Sequence, residues 1–245
     1  TVIARRKLKE SSNILAPDRL DGRLALSMIV FIFFATSVGK SYHGMKYDVS
    51  LILSLIIYSN RKFLLTQMLG HISGAHLNPA VTIGAVILGI KTIPTGILYA
   101  IAQFIGATIG YGLLMVTIGH CVTVVHPGIS ITQAIIVEIL CTSFILCAAC
   151  ATWDPRCAHT TDSTAIRFGF SVVGVSLAAS PYTGCSMNPA RTFGPAFWNG
   201  NWTNQWIYWF GPCAGAFLGT YIYVYLFAEK KENRNECLEF IELKA

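Results

Sequence analysis

The chain has 245 residues, of which 53% are hydrophobic and only 12% charged, with 18 Lys and Arg against 12 Asp and Glu. Ordinary soluble domains carry about 25% charged residues. Half that is too few to coat a soluble globule, and it excludes a disordered chain, a soluble enzyme core and a nucleic-acid module.

The charges are also unevenly placed. Arg5, Arg6, Lys7, Lys9, Arg19 and Arg23 fall in residues 1–23, and Lys230, Lys231, Arg234 and Lys244 fall in residues 230–244. The net charge of +6 therefore sits mostly in tails and short loops. This is a topology signal at a membrane surface, not a nucleic-acid patch. Residues 1–23 read as a cytoplasmic N-terminal tail without a cleavable signal peptide, and residues 229–245 as a cytoplasmic C-terminal tail.

A bilayer core of roughly 30 Å needs about 20 apolar residues as a helix. Six runs approach that length: Leu24–Gly39, Val49–Leu69, Pro94–Ile118, Ile131–Thr152, Ala165–Ala179 and Gln205–Ala228. Six spans put both termini on one side, which the basic N-terminal tail makes the cytoplasm. The second run carries Ser59-Asn60-Arg61-Lys62 near its middle. Two cations there cost roughly 2.5–3.5 kcal/mol each for insertion at a helix centre. Cys141, Cys147, Cys150 and Cys213 lie inside apolar runs, where Cys acts as a small hydrophobe. No metal site and no cofactor is expected. The segment Asp154-Pro155-Arg156 reads as a turn, and Asn201-Trp202-Thr203 is a glycosylation sequon on the outer side.

Two shorter apolar stretches remain, Asn78–Leu88 and Asn188–Trp198. At 11 residues each they are roughly 16 Å long as helices, about half a membrane. Both open on Asn-Pro-Ala, at Asn78, Pro79, Ala80 and at Asn188, Pro189, Ala190, 110 residues apart. A Gly-x-x-x-Gly pair follows each at nearly the same offset, Gly106 with Gly110 and Gly215 with Gly219. Such pairs ordinarily let helices pack closely. The whole reads as an all-α membrane protein in residues 24–228. It is a duplication of three spans plus one half-helix, the first repeat about residues 24–118 and the second about 131–228. Three is odd, so the copies insert with opposite orientation, and the site is expected between them at the midplane.

Asn is a favoured N-cap, and Pro is favoured at the first helical position. Asn-Pro therefore starts a helix sharply. Two such starts from opposite faces bring two positive dipole ends together and repel cations. Each Asn would cap its helix through its oxygen and leave an NH₂ donor facing the lumen. A water held there donates outward in both directions and relays no proton.

These motifs resemble the aquaporin, or major intrinsic protein, family over roughly residues 20–228. The resemblance is carried by Ser73-Gly74-Ala75-His76-Leu77-Asn78-Pro79-Ala80-Val81-Thr82 and by Thr183-Gly184-Cys185-Ser186-Met187-Asn188-Pro189-Ala190-Arg191, with Glu138 and Trp206-Ile207-Tyr208-Trp209-Phe210-Gly211-Pro212. It implies six tilted helices plus two half-helices, a pore in each subunit and a homotetramer in a lipid bilayer, the plasma membrane being the expected one. It also implies a selectivity filter of Tyr58, Ser176, Cys185 and Arg191, with His76 in the cytoplasmic vestibule and Glu138 as a brace. Water-selective members carry His where Ser176 stands. A small residue there widens the constriction and points to glycerol and urea passing beside water, as in the insect glycerol-permeable branch. Thr192, where glycerol-type members usually have Asp, fits the water type. Cys185 is expected to face the pore and to react with mercurials. The Glu that the family usually carries in the first span is replaced near Arg23 or Leu24. The function expected is a passive channel, not an enzyme. The rivals are a strictly water-selective channel, a poorly conducting junction or adhesion protein, and a secondary transporter, which Glu138 as the only intramembrane carboxylate disfavours.

Overall fold

The computed structural model describes residues 73–117, 122–157 and 163–227. The first two expected spans, both tails, Tyr58 and the Arg61-Lys62 pair lie outside the described residues. Within them are six helices and no strand. They are α1 (Pro79–Ile87), α2 (Ile93–Thr117), α3 (Ile131–Trp153), α4 (Thr164–Thr183), α5 (Pro189–Asn199) and α6 (Ile207–Leu226). Three of them, α2, α3 and α4, are long and apolar enough to cross a membrane. The short helices α1 and α5 begin where Asn-Pro predicts. Asn78 and Asn188 are extended N-caps, with Pro79 and Pro189 in the first turn.

The remaining boundaries follow local chemistry. Ser130 opens α3 with a capping box, its side chain accepting from the Gln133 N–H while the Gln133 side chain accepts from the Ser130 N–H. α4 runs four residues past the expected Ala179, through Pro181, and stops where Gly184 turns left-handed at φ 72°. α5 ends the same way at Gly200, φ 65°.

Close packing carries the second repeat. Gly211, Gly215 and Gly219 form one stripe on α6, laid against α3. A Cβ at Gly215 would lie 2.5 Å from the Ile139 carbonyl oxygen, and one at Gly211 would lie 2.7 Å from the Glu138 Cβ. No side chain fits there. The Ser143 hydroxyl and the Cys147 thiol use this proximity to donate to the carbonyls of Gly215 and Gly219. Gly194 does the same for α5, since its Cβ would meet the Ala107 carbonyl oxygen of α2 at 2.6 Å. Small residues at these contacts suit a bilayer, where van der Waals packing and not water exclusion holds helices together.

The Asp154 turn is more than a turn. Arg156 grips the Asp154 carboxylate through Nε at 2.9 Å and Nη2 at 2.6 Å, and also donates to the Phe227 carbonyl after α6. The Tyr223 hydroxyl of α6 donates to Asp154 at 2.8 Å. The ends of α3 and α6 are thereby pinned. The Arg156 hydrogen bonds hold the Asp154 carboxyl well below the usual carboxylate range.

Candidate functional site

The N-termini of α1 and α5 meet. The Asn78 Nδ2 donates to the Met187 carbonyl at 2.8 Å, and the Asn188 Nδ2 donates to the Leu77 carbonyl at 3.0 Å. Each Asn oxygen caps its own helix, accepting from the N–H of Ala80 or of Ala190 at 2.9 and 3.0 Å. The capping agrees with the sequence reading, but one N–H of each amide is spent on the opposite loop. An amide has two N–H groups, so one hydrogen per Asn is left to donate to a solute. Pro79, Ala80, Pro189 and Ala190 are all buried around this crossing.

The approach loops bend alike. Gly74, Ala75 and Leu77 have φ of 82°, 45° and 48°, and Gly184, Cys185 and Met187 have 72°, 46° and 52°. Every member of the second set stands 110 residues after its counterpart. Left-handed backbone at a residue other than Gly costs of order 1–3 kcal/mol, so four such positions are held by their surroundings. Two of the ties are matched. Tyr99 donates to the Ser73 carbonyl at 2.8 Å, and Tyr208 donates to the Thr183 carbonyl at 3.0 Å. The hydroxyls of Thr82 and Thr192 bond back to the carbonyls of Asn78 and Asn188.

Among the described residues, only the second loop holds a carboxylate. Glu138, fully buried on α3, accepts from the Thr183 hydroxyl at 2.7 Å, the Ser186 N–H at 2.9 Å and the Met187 N–H at 2.8 Å. The position near Arg23 or Leu24 that would answer it in the first repeat lies outside the described residues. The third residue of α5 is Arg191, and Val81 stands in its place on α1. The Arg191 Nη1 donates to the carbonyls of Cys185 and Ser186. The second loop thus aims its carbonyls at a guanidinium, which its bent backbone makes possible.

Ser176 is on α4, 2% exposed, and its hydroxyl has no hydrogen-bond partner among the described residues. Cys185 departs from expectation. Its backbone carbonyl serves Arg191, but its side chain is 1% exposed and its thiol points at the Val175 carbonyl, 3.7 Å away. It packs with Ile145, Val172, Ala179 and Met187 in the wall, so the thiol is not the open pore-facing group expected. His76 is buried between the rings of Tyr99 and Trp153, with centroids 5.7 and 5.4 Å away, and its Nδ1 has no partner among the described residues. Trp153 was not singled out in the sequence. Its place at the end of a long apolar helix makes it look like an interfacial anchor. In the loop before α6, the Thr203 N–H closes on the Asn201 Oδ1 at 3.1 Å, and all three residues of the sequon are exposed.

Comparison with known proteins agrees with this architecture. A family model described as Major intrinsic protein matches residues 23–223. Aquaporin-4 from Rattus norvegicus is 36% identical over 222 residues, covering 87% of this chain and 69% of that protein. Lens fiber major intrinsic protein from Ovis aries is 40% identical over 185 residues, covering 73% and 70%. The X-ray structure of the aquaglyceroporin from Plasmodium falciparum superposes with a TM-score of 0.69 at 19% identity, covering 84% of this chain and 94% of that one. At that identity the last match speaks for the fold.

Proposed function

The chain belongs to the major intrinsic protein family, and we propose that this member conducts water together with small neutral solutes of the glycerol and urea kind, while excluding protons and ions. It is an integral membrane channel and not an enzyme, as the family is. The observation that carries the solute reading is Ser176. Ser176 stands at the expected filter position on α4 with a short side chain whose hydroxyl no described protein group engages, which leaves its hydrogen bond for a solute. An imidazole there would fill several times its volume. Arg191, anchored on two carbonyls, supplies the opposing donors and the charge that turns cations away. The single free N–H on each of Asn78 and Asn188 orients water at the crossing.

Tyr58 completes the filter in this reading, His76 lines the cytoplasmic vestibule, and both termini are cytoplasmic. The channel works as a homotetramer in the plasma membrane, and its filter is of the insect glycerol-permeable type. A second reading, strict water selectivity, is favoured by Thr192, whose hydroxyl is buried 2.6 Å from that of Ser186 where glycerol-type members carry Asp.

Swelling assays on liposomes holding the purified protein separate the two. Fast shrinkage in sorbitol followed by re-swelling in glycerol and urea is expected. Ser176→His should reduce glycerol flux at least tenfold and leave water flux within about twofold, a difference of about 1.4 kcal/mol in barrier. Glycerol exclusion by the unmodified protein would establish the second reading.

A further inference from the structure

Three tryptophans gather where the chain enters α6. Trp202, Gln205, Trp206, Trp209 and Phe210 line a cleft of about 460 Å³. Small-molecule sites usually measure about 300–1,000 Å³ and are walled by apolar and aromatic groups with a few placed polar atoms. Trp209 stacks on Phe104 with centroids 4.9 Å apart, and Trp202 and Trp209 both meet the Phe193 ring of α5 edge-on. Trp206 and Phe210 stay more than half exposed. The Gln205 Oε1 is buried and accepts from no donor among the described residues. A membrane-surface aromatic belt needs rings at the interface. It does not need them gathered round a buried carbonyl oxygen that lacks a donor.

The charge character of the cleft is specific. None of its five lining residues is ionisable in the physiological range. Aromatic rings are negative on their faces, and the Gln205 oxygen adds to that. The complement is a cation that asks for no hydrogen-bond acceptor, a quaternary ammonium, which aromatic cages recognise by cation–π attraction. The cleft also continues along the helix. Trp206, Phe210, Phe217 and Tyr221 recur at intervals of four, seven and four and are all exposed, which puts them on one side of α6. The 20 residues of α6 make roughly 30 Å of helix, the thickness of a bilayer core. The cleft at its start therefore stands at headgroup level, and the apolar stripe runs from there into the hydrocarbon.

We propose that this cleft binds the choline headgroup of a phosphatidylcholine whose acyl chain lies on the stripe below it. A soluble choline compound would use the cage and leave the stripe bare, whereas the phospholipid uses both. Trp202 and Trp209 bear on Phe193, two residues after Arg191 on α5. A seated headgroup thus also steadies the half-helix that carries Arg191. The site goes beyond the channel reading and stands whichever solutes pass.

The test uses the full chain, purified in detergent with equal amounts of dioleoyl phosphatidylcholine, phosphatidylethanolamine and phosphatidylglycerol. Retained lipid is counted by native mass spectrometry. Phosphatidylcholine should be retained about fivefold or more over either rival. Trp202→Ala and Trp206→Ala should each erase most of that preference. Trp206→Phe, which keeps a ring, should hold most of it, and Gln205→Leu should lower it in part. Tetramethylammonium chloride should displace phosphatidylcholine from the unmodified protein, and sodium chloride at the same concentration should not, a readout that needs no variant to fold. Equal retention of the three lipids would overturn the proposal, as would preference for the anionic one. So would retention that follows acyl-chain length and ignores the headgroup, the sign of a site for acyl chains alone. A Trp206→Ala protein whose oligomer falls apart while its lipid preference is unchanged would assign the cleft to a second copy of the chain and overturn it equally.

Discussion

The loop entering α1 and the loop entering α5 share backbone bends, a Tyr tie, a Thr tie and a reciprocal Asn bond, all at an offset of about 110 residues. Among the described residues they differ in what holds them. The second loop rests on a buried carboxylate and presents Arg191; the first presents Val81 and is fastened among the described residues by Ser73, Tyr99 and its own helix cap. The matched features build the crossing, where symmetry gives a solute the same environment from either side. In the function proposed above, the unmatched ones serve the filter, which needs a charge on one side only. A guanidinium at membrane depth requires acceptors, and acceptors require carbonyls turned inward. The buried Glu138 takes up the N–H groups that the turned backbone leaves over.

Substitutions at six positions sharpen that contrast. The largest effect is expected at Glu138. Glu138→Ala strands the Thr183 hydroxyl and two buried N–H groups. A buried donor left without an acceptor costs about 1–3 kcal/mol, so the loss over three donors should be about 4 kcal/mol or more. It should be read as a large fall in the thermal unfolding midpoint in detergent. Glu138→Gln, which keeps an acceptor, should recover part of it. Next come the two Asn caps. Asn78→Ala and Asn188→Ala each remove a cap and a cross-loop bond, about 2 kcal/mol together. Nearly equal shifts are expected, with Asn188 slightly larger because its oxygen also accepts from the Arg191 N–H at 3.3 Å. A strongly unequal pair would break the claim of symmetry.

Smaller still are Tyr99→Phe and Tyr208→Phe, about 1 kcal/mol each and alike, measured by the same melts. The smallest effect lies away from both loops, at Asp154. Its carboxyl is held below the usual range by Arg156, so the stability it contributes is complete above the unfolded carboxyl value, near 3.9. It is lost as pH falls from there toward the folded value. The melting difference between wild type and Asp154→Asn should be flat from pH 8 to 5 and shrink below pH 4. Water flux at pH 7 should be the same in both.

Much of this plan is legible in the residues. Asn-Pro-Ala announces a sharp helix start because cap and first-turn preferences are local. Length alone marks α1 and α5 as half-spans. The Gly stripe on α6 was partly visible as Gly215 and Gly219, while Gly211 was read only as part of a family motif. The left-handed bends at Ala75, Leu77, Cys185 and Met187 were not visible, because these residue types argue against that conformation and are held there by distant partners. Side-chain direction was equally hidden. Position put Cys185 beside the filter, but the φ of 46° and the packing around it turn its thiol into the wall. The continuation of α4 through Pro181 was missed because Pro in a helix interior usually signals an end.

The Asn78–Met187 and Asn188–Leu77 bonds join residues 109 and 111 apart in sequence. Neither half-helix can complete its contacts until the other repeat has been synthesised and inserted. The conducting centre is therefore a late event in biogenesis. A chain arrested after the first repeat would hold a capped but unpaired α1 beside Leu77 and Met187's empty place. Damage to either repeat would therefore leave both halves unfinished.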